Sequence, residues 1–105
     1  MARILGRRRP RSTSKVWRVV WTDEAVAGLE SIARYVHDFS PNAAVRLATS
    51  LKAVADSLTE HPDRGRTVGR GMRELTVIHP YLIRYRVDGD RVIILRIRHG
   101  ARRRD

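Results

Sequence analysis

Cysteine is absent from this 105-residue chain, so neither a disulfide nor a cysteine-ligated metal can hold it together, which fits a reducing cytoplasm. No apolar run approaches the roughly 18 residues that a membrane-spanning helix needs. The N-terminus is basic, but no apolar stretch follows it as in a secretory signal. The histidines, His37, His61, His79 and His99, are scattered without ligand-type partners, so no metal site is expected. The glycines match no phosphate-cradling loop, and no Ser-His-Asp arrangement follows from spacing. Disulfide scaffolds, membrane spans, zinc sites and nucleotide-loop enzymes are thereby set aside, and no cofactor is expected.

Negative charge is also scarce. The chain has 22 Lys and Arg against 11 Asp and Glu, a net charge of +11. Residues 1–15 hold six bases and no acid, residues 16–60 four bases and six acids, and residues 64–104 twelve bases and three acids. The basic field is therefore concentrated at the N-terminus and in the second half. Such a field favours a polyanion or an acidic protein and speeds encounter with it. At 42% hydrophobic residues the composition is that of one small globular domain.

Residues 1–15, with Arg7-Arg8-Arg9-Pro10-Arg11, lack apolar periodicity and are expected as a disordered basic tail; residues 16–105 form the single domain. Val16–Trp21 reads as a strand. Thr22-Asp23-Glu24 supplies a helix cap and two acids in the first turn. Ala25, Leu29, Ile32, Ala33 and Val36 then recur at helical spacing to about His37. Ser40-Pro41 starts a second helix, with Ala44, Leu47, Leu51, Val54, Ala55 and Leu58 as its apolar stripe, and His61-Pro62 stops it. Asp63–Gly71, with three glycines and three arginines, reads as a flexible connector.

Three strands are expected after it: Arg73–Val77, Tyr81–Val87 and Arg91–Arg98. Alternation puts Tyr81, Ile83, Tyr85 and Val87 on one face with Ile93, Leu95 and Ile97. That requires a loop of odd length or a bulge, and Asp88-Gly89-Asp90 suits it. The opposite face carries Val92, Ile94 and a cluster of Arg84, Arg86, Arg96 and Arg98. The fold class is therefore α+β, in the order β-α-α-β-β-β, with a helical hairpin packed on one face of a mainly antiparallel sheet.

Arginine can clamp phosphate or carboxylate with a forked pair of donors and stabilise charge in a transition state. Candidates are the sheet cluster, Arg73, and Arg102, Arg103 and Arg104 beyond the last strand. His99 titrates near neutrality and is a candidate acid or base; the plainer reading is a strand-end histidine bonded to backbone. Tyr81 and Tyr85 lie on the expected core face and read as packing. Arg73 either meets a target or pairs with Glu74 or a helix carboxylate.

Six stretches in their order and spacing resemble the RelE/ParE superfamily of toxins: Trp21-Thr22-Asp23-Glu24-Ala25, Ser40-Pro41, Pro62-Asp63-Arg64-Gly65-Arg66, Arg73-Glu74-Leu75, Tyr81-Leu82-Ile83-Arg84-Tyr85-Arg86-Val87 and Ile97-Arg98-His99-Gly100-Ala101-Arg102. The resemblance covers about residues 16–104. It implies the toxin half of a type II toxin–antitoxin module, neutralised by a small acidic antitoxin through which it reaches operator DNA. RelE-like members cleave mRNA in the ribosome, and ParE-like members poison DNA gyrase without being nucleases. By position, Arg73 and Arg102 match family arginines, and His99 matches the strand-end histidine frequent in ParE-like chains.

RelE-like enzymes carry a lysine pair after the second helix and a C-terminal tyrosine. Here Asp63-Arg64-Gly65-Arg66 stands in the first place, and no tyrosine follows the last strand. Arg64, Arg66 or Arg70 replaces lysine electrostatically, but not as a proton donor of matched pKa. The resemblance thus favours a ParE-like gyrase inhibitor over an enzyme. Arg84, Arg86, Arg96, Arg98, Arg103 and Arg104 would bind target or partner. The alternative is a ribosome-dependent endoribonuclease in which Arg73 and Arg102 stabilise the scissile phosphate and His99 moves the proton. From another class, a non-toxic nucleic-acid-binding module or a degenerate toxin would share these features.

Overall fold

The computed structural model describes residues 16–100. The expected basic tail, and Arg102, Arg103 and Arg104, lie outside the described residues. The elements run β1 (Arg18–Trp21), α1 (Asp23–His37), α2 (Pro41–Asp56), a 3-10 turn (Ser57–Thr59), β2 (Arg66–Gly69), β3 (Met72–Leu75), β4 (Tyr81–Asp88) and β5 (Arg91–His99). One mixed sheet has the order β1-β5-β4-β3-β2, with β1 parallel to β5 and every other pair antiparallel. The expected α+β class and helical hairpin are present.

Both helices start as their caps dictate. The Thr22 hydroxyl accepts the Ala25 amide at 3.0 Å, and the Ser40 hydroxyl accepts the Ala43 amide at 3.1 Å, each meeting one of the amides a first turn leaves unpaired. Their apolar stripes bury Ala25 and Ile32 from α1, and Ala44, Leu51 and Ala55 from α2. Across from them the sheet buries Leu75, Ile83, Tyr85, Val92, Ile94 and Ile97. Each fully buried large aliphatic side chain stabilises the fold by about 1.5–3 kcal/mol.

Two local expectations differ from the structure. The connector after α2 contributes a strand: β2 pairs with β3 across the tight turn Gly69-Arg70-Gly71, whose three residues all have positive φ. The chemistry of a flexible linker and of a tight hairpin is the same here, glycines at left-handed positions, and pairing decides between them. The second difference is the inward face of β5. Val92 and Ile94 are buried, whereas Ile93 and Leu95 are half-buried. The β4–β5 turn is two residues long, because Asp88 pairs directly with Arg91. Parity is corrected instead inside β5: Arg84 pairs Arg96 and Tyr85 pairs Ile94, leaving Leu95 as an extra residue. That bulge lets Ile94 and Ile97, three apart, both enter the core while Arg96 and Arg98 stay on the other face.

β1 ends at Trp21, opposite Ile94, and α1 covers the edge of β5 beyond it. Thr22 Oγ1 shares its proton between the carbonyls of Ile94 and Leu95, 3.1 Å from each. A Cβ at Gly28 would lie 2.2 Å from the Ile97 carbonyl oxygen, so the helix backbone rests directly on the strand. Among the described residues no helix is long and apolar enough to cross a membrane, and no group of three His, Cys, Asp or Glu could hold a metal ion.

Candidate functional site

Ladder partners share a face, so the register sorts the arginines. The face away from the helices carries Arg84 and Arg86 on β4, Arg91, Arg96 and Arg98 on β5, Arg18 on β1 and Arg66 on β2. Met72, Leu82 and Ile93 lie between them. The expected cluster of Arg84, Arg86, Arg96 and Arg98 is thus assembled on one surface. The cluster is internally paired in a way that alternation along single strands does not specify. Glu74, 8% exposed, sits among the arginines and accepts hydrogen bonds from Arg84 Nε at 3.0 Å and from Arg84 Nη2. Its other oxygen faces Arg66 at 3.6 Å. Arg96 pairs with Glu24 of α1 at 2.7 Å, and Arg91 with Asp88 at 3.1 Å. The signal for Glu74 was its place beside Met72 on the parity of β3 opposite to Arg73, which meets the β4 arginines only once β3 is paired in register with β4.

Arg73 stands on the other side of the sheet. It pairs across from buried Tyr85, and its Nη1 donates to the carbonyls of Gly65 at 2.6 Å and Asp63 at 3.3 Å. Neither Glu74 nor a helix carboxylate is its partner in these bonds. The Tyr85 hydroxyl completes the same clasp, donating to the Pro62 carbonyl at 2.7 Å and accepting the Gly65 amide at 2.8 Å. Burial pushes the Tyr85 phenol above its ordinary 10.0, against the smaller opposing pulls of the Gly65 amide and the Arg73 charge. Gly65 is the only residue type that fits, because a Cβ there would come within 2.8 Å of the Glu74 carbonyl oxygen and the Tyr85 ring. The clasp holds the loop that presents Arg64 and Arg66, with Arg64 Nη1 donating to Ser57 Oγ at 2.6 Å.

His99 ends β5 opposite Tyr81, their rings edge to face at 5.3 Å. Arg73 is opposite Tyr85 and His99 opposite Tyr81, four residues along β4, so the two are separated by roughly 13 Å along the strand. The structure therefore gathers Arg84, Arg86, Arg96 and Arg98 and does not bring Arg73 and His99 together. Arg102, Arg103 and Arg104 lie outside the described residues. Tyr81 and Tyr85 pack against or within the core, as their parity indicated. On the helical side, Glu30, Ala33, Arg34, His37, Ala44, Val45 and Ala48 line an open groove of about 410 Å³.

The fold is a helical hairpin on one face of a five-stranded sheet, with arginines across the other face. The chain belongs to the family described as the ParE toxin of the type II toxin–antitoxin system parDE, whose pattern matches residues 19–104. Among similar proteins, Toxin RelE2 of Caulobacter vibrioides is 54% identical over 84 residues, covering 80% of this chain and 96% of the relative. Toxin RelE1 of the same organism is 48% identical over 67 residues, 61% of this chain and 72% of the relative. A solved structure described as the chromosomal ParDE TA system from P. aeruginosa contains a chain that matches with a TM-score of 0.71. That chain is 27% identical, and the match covers 82% of this chain and 98% of it. The chain is a type II toxin of the ParE/RelE family.

Proposed function

We propose that this toxin acts as a ParE-like inhibitor of DNA gyrase, binding through its arginine face, and is neutralised by a cognate acidic antitoxin. The carrying observation is the separation of the candidate groups. Arg84, Arg86, Arg96 and Arg98 share the outer face by register, while Arg73 is engaged on the opposite side with the Gly65 and Asp63 carbonyls. A nuclease needs its arginine and its proton donor around one phosphate; a binding surface needs only a coherent face. The family pattern supports the same reading, and the ParDE relative supports an antitoxin as partner. An acidic antitoxin would neutralise the toxin by covering the arginines that meet the target.

A second reading is a ribosome-dependent mRNA endonuclease, favoured by the names of the two RelE relatives. Induced expression without the antitoxin separates the two. DNA breaks with induction of the DNA-damage response support gyrase poisoning; rapid translation arrest with cleaved mRNA replaces it by the nuclease reading. Unimpaired growth sinks both.

A further inference from the structure

A row of charges crosses four strands of the outer face. Arg66, Glu74, Arg84 and Arg96 are successive ladder partners from β2 to β5, and Glu24 closes the row by its 2.7 Å ion pair with Arg96. The signs run plus, minus, plus, plus, minus. Arg84 and Arg96 are thus direct cross-strand neighbours with no acid between them in the row. Like charges in that position repel, and each is held from its far side instead. Glu74 grips Arg84 through Nε and Nη2, an edge of the fork that leaves Nη1 out of the grip. Glu24 holds Arg96.

We propose that the space between Arg84 and Arg96 is an anion clamp for a carboxylate side chain of an acidic protein partner, preset by Glu74 and Glu24. This deepens the binding reading above and rests on it. The two positioning acids differ in kind. The Glu74 side chain is 7% exposed, so Arg84 is fixed. Glu24 and Arg96 are 63% and 36% exposed, so their pair is screened by water and readily exchanged. An incoming carboxylate displaces Glu24 from Arg96 while Arg84 waits in place, and two guanidinium forks then hold one anion. The neighbours favour protein over nucleic acid. Met72, Leu82 and Ile93 share the face, whereas Trp21, Tyr81 and Tyr85 belong by register to the other one, so among the described residues the strands offer no aromatic platform on the outer face for single-stranded bases to stack on.

The test is titration of the full chain with a labelled glutamate-rich peptide, and in parallel with a single-stranded oligonucleotide of equal charge. Arg96→Ala is expected to weaken peptide binding by about tenfold or more. Glu24→Gln, which removes the internal competitor, strengthens it by about threefold or more. Arg46→Ala takes the same charge from an exposed position of α2 and changes binding less than about twofold. Because Glu24 is exposed and Arg96 only half-buried, these variants keep the fold even if Arg84→Ala does not. Equal losses for Arg46→Ala and Arg96→Ala, no gain from Glu24→Gln, or tighter binding of the oligonucleotide than of the peptide would overturn the clamp. Gyrase cleavage is scored separately on the wild type. No effect there removes the target reading and leaves the titration to judge the clamp.

Discussion

Replacing Tyr85 by Phe removes one oxygen from the centre of the loop clasp and leaves the ring in place. The buried phenol connects β4 to the loop after α2 through two hydrogen bonds, to the Pro62 carbonyl and from the Gly65 amide. No cavity forms, so the loss is polar. The Gly65 amide is left buried without its acceptor, at about 1–3 kcal/mol, and the part-buried Pro62 carbonyl loses about 0.5–1.5 kcal/mol. Together that is about 1.5–4.5 kcal/mol, a large share of the 5–15 kcal/mol typical of a whole domain. Urea denaturation at neutral pH should show a lower midpoint with unchanged slope. The pH dependence gives a second readout. Burial raises the phenol pKa above 10.0 in the folded state, so the folded protein holds this proton more tightly than the unfolded chain. The associated stability is fully present below about pH 10 and is lost as pH rises through the raised folded value. Tyr85→Phe should abolish that alkaline component. A loss under about 0.5 kcal/mol, or an alkaline slope identical to wild type, would refute the clasp as an energetic element.

Gly28→Ala pits a gain of about 1 kcal/mol in helix propensity against a Cβ placed 2.2 Å from the Ile97 carbonyl oxygen. The clash with backbone wins, and thermal melting should show net destabilisation of about 1–3 kcal/mol. Thr22→Ala loses both the Ala25 cap and the bond to the β5 carbonyls, so a drop of about 1–2 kcal/mol is expected by denaturation; a drop no larger than that of Ser40→Ala would deny the second bond any weight. Leu51→Ala, at a site 1% exposed, should cost about 2–5 kcal/mol. If the nuclease reading holds, Arg102→Ala abolishes mRNA cleavage, and retained cleavage removes that residue from the mechanism.

Local chemistry in the sequence was enough to specify the helical hairpin, because caps, a proline stop and 3.6-residue apolar stripes act within one segment. It was also enough to place Arg84, Arg86, Arg96 and Arg98 on one face, since alternation is a property of a single strand. Register was not legible. Whether β5 turns inward at Ile93 or at Val92 depends on a bulge at Leu95, which only pairing with β4 reveals. The same holds for β2, whose glycines and arginines suit a linker equally well until β3 offers it a partner. Arg73 shows the limit most plainly. Its charge and position suggested a target contact, but a guanidinium goes to whichever acceptors lie within reach, and packing brought the Gly65 and Asp63 carbonyls there. The sequence by itself determined which elements form and how much positive charge they carry. Tertiary structure decided which arginines are held by carboxylates and which stand side by side across strands, because ion pairing depends on distances between segments far apart in the chain.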